Sequence, residues 1–151
     1  DEHPVNDLGI KRLENVISEA EKKNIQVAFE NLNNILNLAL VLEAFQSKNV
    51  GYCYDSCHHL NYAPDDDLLK LYGNRLMALH LQDNGGKHNQ HQLPFDGNID
   101  WVNVMKRIAL TGYQGATSLE PMNWDYEHLS IQQFLDLAYQ KAKKADEMRI
   151  I

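Results

Sequence analysis

Hydrophobic and polar positions alternate in four short segments of the chain, and each segment ends in a residue type that binds metal ions. The segments and their last residues are 25–30 with Glu30, 50–55 with Asp55, 76–80 with His80, and 116–120 with Glu120. Successive side chains of a β-strand point to opposite faces, so this alternation predicts four strands. In all four, the terminal residue shares a face with small or polar side chains.

The opposite face of these predicted strands is apolar. It carries Ile25, Val27, Phe29, Val50, Tyr52, Tyr54, Met77, Leu79, Thr117 and Leu119. The same register in four segments predicts one inner surface, with the glutamates, the aspartate and the histidine along a single rim.

The stretches between the predicted strands contain apolar residues at helical spacing and residues that cap helices. Asn6 or Asp7 can cap a first helix that runs to about residue 23, Asp100 caps one that ends at Gly112, and Ser130 caps the last. The predicted helices are 7–23, 35–46, 65–72, 101–110 and 131–148, and the two longer loops are 56–64 and 82–98. Strands that alternate with helices indicate βαβ units and a parallel sheet.

The polarity of the inner face selects among the parallel α/β folds. A doubly wound sheet is strongly apolar on both faces, whereas barrels place catalytic groups at the carboxyl rim of their strands. We therefore expect residues 1–151 to form a single partial domain, the C-terminal half (about four strands) of a TIM barrel. Because half a barrel leaves strand edges unpaired, an N-terminal half or a second copy should cover them.

The composition of the chain limits which binding partners and which cellular compartment we expect. The chain has 151 residues, is 44% hydrophobic and carries a net charge of −7, so nucleic acid and anionic membranes are not expected as main partners. No apolar run approaches the roughly 18 residues that span a bilayer. With no initiator Met, the chain is expected to be a processed or truncated piece. Cys53 and Cys57 form no disulfide framework, which fits a cytoplasmic protein.

Five motifs occur in an order that carries a family resemblance. They are Val27-Ala28-Phe29-Glu30-Asn31-Leu32, Tyr54-Asp55-Ser56-Cys57-His58, Leu79-His80-Leu81-Gln82-Asp83-Asn84, Pro94-Phe95-Asp96-Gly97-Asn98-Ile99-Asp100-Trp101 and Ser118-Leu119-Glu120-Pro121. Together they resemble the C-terminal half of the xylose isomerase-like TIM barrel superfamily, and within it the sugar phosphate isomerase/epimerase group. The resemblance implies one divalent metal ion held by Glu30, Asp55, His80 and Glu120. It also implies that Glu30 and Glu120 move protons and that His58 contacts the substrate.

The chemistry of these residue types agrees with that implication. Three carboxylates and one imidazole suit Mn²⁺, Mg²⁺ or Co²⁺, and Zn²⁺ is an alternative. A metal ion polarises a substrate carbonyl and stabilises the enediolate that forms when the neighbouring carbon loses a proton. Glu30 and Glu120 on either side would act as base and acid, which is what epimerisation requires.

Further candidates lie near the predicted rim. His91 could contact a phosphate or hydroxyl of the substrate, and Trp124 could cover the site as an apolar lid. Asp83 could orient a metal ligand, or simply form a turn. His59 should point elsewhere, Cys53 should be a buried inner residue, and Cys57 a loop thiol.

Three functions remain open at this point. The first is a metal-dependent isomerase or epimerase that acts on a sugar or sugar phosphate. The second is an endonuclease IV-like phosphodiesterase, although Asn89-Gln90-His91 lacks the aspartate of that group's Asp-x-His zinc pair. The third is a catalytically inactive half-barrel fragment.

Overall fold

The computed structural model of the chain describes residues 5–87 and 90–149. Its helices and strands alternate as the sequence predicts, with helices on the apolar side of the strands. They are α1 (Asp7–Lys22), β1 (Val27–Glu30), α2 (Ile35–Ala44), β2 (Val50–Asp55), α3 (Ser56–Tyr62), α4 (Leu68–Tyr72), β3 (Leu76–His80), α5 (Trp101–Leu110) and α6 (Ile131–Asp146), with short 3₁₀ helices at Gly73–Arg75 and Trp124–Tyr126.

The three strands form a parallel sheet in the order β1-β2-β3, which confirms the predicted parallel α/β fold. The sheet does not close on itself. Residues 116–120 lie beside β3, but they pair with it only through a parallel bridge between Leu81 and Leu119. Leu81 donates its N–H to the Ser118 carbonyl, and Glu120 donates its N–H to the Leu81 carbonyl, both at 3.0 Å. The segment predicted as the fourth strand therefore lies next to β3, as expected, but it is hydrogen-bonded to the sheet only near its C-terminal end, at Leu119.

The apolar face of the sheet packs against the helices and forms the core. Tyr52, Tyr54 and Leu79 are fully buried there, together with Met105 and Ile108 of α5. Burying apolar side chains contributes about 25 cal/mol per Å², so this face stabilises the sheet and fixes which face the rim residues occupy.

One residue of β3 departs from the predicted alternation. The pairing shifts between Tyr52 opposite Leu76 and Cys53 opposite Ala78, so Met77 is an extra residue in the strand. Its side chain lies against Gly51 on the inner face, where a Cβ on Gly51 would overlap Sδ of Met77. The predicted outward position of Met77 is thus wrong, because a bulge reverses the direction of a side chain locally.

The predicted loop 56–64 is also wrong, since α3 (Ser56–Tyr62) fills most of it. The Asp55 carboxylate accepts a hydrogen bond from the His58 backbone N–H at 2.7 Å and so caps this helix. Cys57 is fully buried in α3 rather than a loop thiol. Asp55 therefore has two roles, as the predicted rim residue and as a helix cap that the strand pattern does not indicate.

The other caps are as predicted. Asn6, Asp100 and Ser130 each accept a backbone N–H in the first turn of α1, α5 and α6, and Ser130 forms a full capping box with Gln133. Among the described residues, no helix is both long enough and apolar enough to cross a membrane.

Candidate metal centre

The carboxyl ends of the strands bring the four predicted rim residues together. Glu30 ends β1, Asp55 ends β2 and His80 ends β3, while Glu120 follows the bridge at Leu119. One potential ligand atom from each of the four lies within 4.8 Å of the others. Three carboxylate oxygens and one imidazole nitrogen at this spacing suit a divalent cation.

The imidazole of His80 points into this cluster. Its Nδ1 lies 3.4 Å from Oε2 of Glu30 and 3.7 Å from Oε2 of Glu120. Neither contact has hydrogen-bonding geometry, and Nδ1 is a buried nitrogen with no hydrogen-bond partner among the described residues. A buried polar atom normally has a partner, so a nitrogen directed at two carboxylates fits a bound cation.

His58 contacts two of the carboxylates from the first turn of α3. Its Nδ1 lies 2.9 Å from Oε1 of Glu30 and 3.4 Å from Oδ2 of Asp55. The hydrogen bond to Glu30 raises the pKa of His58 although burial opposes that shift. Burial works against ionised Glu30, but the hydrogen bond from His58 and the nearby His80 outweigh it and lower the Glu30 pKa.

Asp55 is the most buried of the four. Desolvation raises its pKa to about 7, even though the His58 N–H stabilises the ionised form. Glu30 and Glu120 add like charge and push in the same direction. A cation next to this buried carboxylate would stabilise its ionised form. The donor set and the negative charge of the cluster therefore both fit a divalent metal ion.

Two buried amides and one hydroxyl hold the strand tips, and the sequence interpretation overlooked all three. The amide of Asn31 donates to the Asp55 carbonyl at 2.9 Å and accepts from the Asp55 N–H at 2.8 Å. The Ser56 hydroxyl bonds both backbone groups of Gln82, at 2.7 and 3.0 Å. Gln82 donates from Nε2 to Oδ2 of Asp55 at 2.7 Å and to Oε2 of Glu120 at 3.2 Å.

Alternation alone could have found Gln82. It lies two residues beyond His80, and residues i and i+2 of an extended chain share a face. Asp83, the residue considered instead, must then point the other way. It does so, because its carboxylate accepts hydrogen bonds from the N–H groups of Phe95 and Ile99 and from the Trp101 indole. The described hydrogen bonds of Asp83 therefore hold the 82–98 loop rather than a rim residue.

His91 lies beside the backbone of Glu120, and Trp124 packs on His91. Nδ1 of His91 is 3.1 Å from the Glu120 carbonyl oxygen, and the His91 and Trp124 rings meet edge to face at 5.7 Å. His91 is nearly buried, whereas Trp124 is mostly exposed. The contact of His91 and of Trp124 with substrate stays a prediction. His59 points away from the cluster, toward Tyr54.

These features define a class of protein: a partial parallel βα barrel with a cluster of metal-ligand side chains at the carboxyl rim of its strands. Residues 5–139 match the family described as xylose isomerase-like TIM barrel. A relative in Sinorhizobium fredii, the uncharacterized protein y4fM, is 37% identical over 135 residues. The chain belongs to the xylose isomerase-like TIM barrel family.

The relatives are longer than this chain. The alignment with y4fM covers 84% of this chain and 43% of the relative. The uncharacterized protein MJ1311 of Methanocaldococcus jannaschii is 27% identical over 128 residues, which cover 78% of this chain and 44% of that protein. The chain thus spans less than half the length of these curated relatives.

Solved structures agree on the fold. The chain is similar to a D-tagatose 3-epimerase-like protein, with a TM-score of 0.73 and 22% identity, over 95% of this chain and 55% of that one. It is similar to a xylose isomerase domain protein from Alicyclobacillus acidocaldarius, with a TM-score of 0.76 and 22% identity, over 91% and 56%. A D-psicose 3-epimerase from Clostridium cellulolyticum H10 gives 0.75 and 20%, over 96% and 58%. In each comparison the chain matches little more than half of a barrel protein.

Proposed function

We propose that the chain is part of a divalent-metal-dependent isomerase or epimerase that acts on a sugar or sugar phosphate. The observation that carries this proposal is the convergence of Glu30, Asp55, His80 and Glu120 within 4.8 Å at the rim where this fold places its catalytic groups. The epimerase names of several structural neighbours support the same class of reaction.

The two glutamates are the proposed acid and base. Glu30 has a lowered pKa and a hydrogen bond from His58, so it is ionised at neutral pH and ready to accept a proton. Glu120 completes the pair from the opposite end of the ligand set. One glutamate removes the proton from the carbon next to the substrate carbonyl, and the other returns a proton to the opposite face. The cation, when bound, supplies polarisation of the carbonyl and stabilisation of the enediolate charge.

His58, His91 and Trp124 are the proposed substrate contacts. Nδ1 of His58 lies 2.9 Å from Glu30, Nδ1 of His91 lies 3.1 Å from the Glu120 carbonyl, and the Trp124 ring packs edge to face on His91. In this proposal the two imidazoles donate or accept hydrogen bonds with the sugar, and the indole contacts its apolar face.

We further propose that residues 1–151 are one partial barrel domain whose open edges are covered by an N-terminal barrel half or by a second copy. Within the described residues, β1 and segment 116–120 form the two edges of the sheet. The helix α6 also exposes three apolar side chains at a spacing of four residues, Ile131, Leu135 and Tyr139. Light scattering checks this proposal: a 151-residue chain that stays strictly monomeric without a partner would contradict it.

Deuterium incorporation tests the reaction itself. A panel of ketoses and their phosphates, incubated with the Mn²⁺-loaded full-length protein in D₂O, should yield an epimer or isomer that carries deuterium at the reacting carbon. Glu120→Gln should abolish turnover and weaken Mn²⁺ binding, because the amide cannot exchange the proton and binds a cation poorly. The matched control Glu127→Gln changes an exposed glutamate of the following loop and should leave both unchanged. Full activity of Glu120→Gln would refute the role of Glu120.

The other two functions differ from this one in what they require of the site. A phosphodiesterase with extra zinc ions needs further ligand groups, and the cluster found among the described residues is this four-residue set, with His91 engaged at the Glu120 backbone. Asn89 lies outside the described residues. An inactive half-barrel fragment would bind Mn²⁺ and turn over no sugar. The cytoplasmic location stays a prediction.

A further inference from the structure

We propose that Gln82 is a positioning residue that holds the carboxylates of Asp55 and Glu120 at the spacing a cation needs, through one side-chain amide. This inference rests on the proposed function, because it assigns Gln82 a task in the same metal site. It concerns a residue outside the four expected ligands.

The geometry of the amide is the first argument. The side chain of Gln82 is fully buried, and its Nε2 lies 2.7 Å from Oδ2 of Asp55 and 3.2 Å from Oε2 of Glu120. These bonds join residues that are 27 and 38 positions apart in the chain. A single NH₂ group has two hydrogens, so it can donate one to each carboxylate.

The position of Glu120 in the sheet is the second argument. Segment 116–120 pairs with the sheet only around Leu81, and the Glu120 side chain is 38% exposed. Backbone pairing therefore restrains Glu120 less than Asp55, which is buried and paired with His80 at the end of β2. The Gln82 amide ties the Glu120 carboxylate to Asp55, and Ser56 in turn holds the Gln82 backbone.

The third argument comes from the other end of the amide. Oε1 of Gln82 is buried and has no hydrogen-bond partner within residues 5–87 and 90–149. A buried acceptor without a partner is unfavourable, and a methionine of the same length would fill the space without it. The two hydrogen bonds that Nε2 donates offset this cost, so an amide can occupy this position. A neutral amide also leaves the negative charge of the carboxylates available, whereas a lysine there would compete with the cation.

The test is a Mn²⁺ titration of the full-length protein, by calorimetry and by the electron paramagnetic resonance spectrum of bound Mn²⁺. Gln82→Met keeps the length and removes the donor, and Gln82→Asn keeps the amide but is too short to reach both carboxylates. Both should raise the Kd for Mn²⁺ by about 10–100-fold, the effect typical of losing a group that orients a ligand. The shape of the Mn²⁺ spectrum should change as well, because it reports ligand geometry.

Gln92→Met is the matched control. Gln92 also donates its amide to a carboxylate, Asp125, at 2.8 Å, and its buried Oε1 also has no hydrogen-bond partner in the part of the chain that the structure describes. Because Asp125 is not in the metal cluster, this variant should leave the Kd for Mn²⁺ within about twofold of wild type. Thermal unfolding without metal separates a loss of fold from a loss of positioning. If Gln82→Met does not fold, Gln82→Asn decides the question.

The outcomes separate the two proposals. A wild-type protein that binds Mn²⁺ and folded Gln82 variants that bind it equally well would overturn the role of Gln82 and leave the proposed function standing. A rise in Kd for the Gln92 variant as large as that for the Gln82 variants would also overturn it, since the effect would then be general. A wild-type protein that binds no Mn²⁺ would overturn the metal site and, with it, this inference.

Discussion

Replacing Asn31 with alanine should be among the most damaging single changes near the site, although its described hydrogen bonds go to the Asp55 backbone and the Tyr52 hydroxyl. Its side chain is buried and takes part in three hydrogen bonds. It bonds the N–H and the carbonyl of Asp55 at 2.8 and 2.9 Å and accepts from the Tyr52 hydroxyl at 2.9 Å. Asn31→Ala leaves all three groups buried without that partner.

The three lost hydrogen bonds determine how far the free energy of unfolding should fall. A buried donor or acceptor left without a partner costs about 1–3 kcal/mol, so three of them should lower the free energy of unfolding by about 3–5 kcal/mol after some relaxation. For a domain of this size, that loss corresponds to a fall of about 10 °C in Tm. Because Asp55 would no longer be held beside Glu30, the affinity for Mn²⁺ should fall as well.

Two control variants calibrate the measurement, which is urea unfolding of the full-length protein followed by circular dichroism. Tyr52→Phe removes one of the three bonds and leaves the Asn31 oxygen bonded to Asp55, so it should cost about 1 kcal/mol. Asn49→Ala removes a single bond, from its amide to the Ile25 carbonyl at 3.0 Å, at the other end of the same strand pair. If Asn31→Ala costs no more than these two variants, the reasoning from buried partners is refuted.

Four further predictions concern Asp55, Gly51 and Asp83. With a pKa of about 7 for Asp55, the affinity for Mn²⁺ should fall about tenfold between pH 8 and pH 6, because the cation must displace a proton. In the metal-free protein the free energy of unfolding should rise as the pH falls from about 7 toward about 4. Folded Asp55 then binds a proton that the unfolded chain does not, and Asp55→Asn should flatten this dependence. Gly51→Ala should cost about 2 kcal/mol or more in urea unfolding, because the new Cβ would overlap the Met77 sulfur. Asp83→Ala should destabilise by about 3 kcal/mol and shift the fluorescence of Trp101, because the Trp101 indole and the Phe95 and Ile99 N–H groups lose their acceptor.

Much of the fold could be predicted from the sequence because the signals are local. The caps Asn6, Asp100 and Ser130 bond backbone groups three residues away, so a short stretch of sequence contains both partners. The face of the sheet that each strand residue occupies could be predicted for a related reason, since it follows from the alternation of neighbouring residues. Where β3 takes in an extra residue at Met77, alternation alone misplaced the side chain.

Local patterns in the sequence were enough to predict every main helix except α3, the three parallel strands and the four residues that meet at one rim. How those residues are held became visible only in the folded chain: Asn31 against Asp55, Ser56 against Gln82, and Gln82 between two carboxylates. These bonds join residues 24 to 38 positions apart, and a polar side chain does not indicate in the sequence which partner it has at that distance. The same residue types serve equally well in turns and on surfaces, so burial and proximity in the folded chain decide which of them bonds the site.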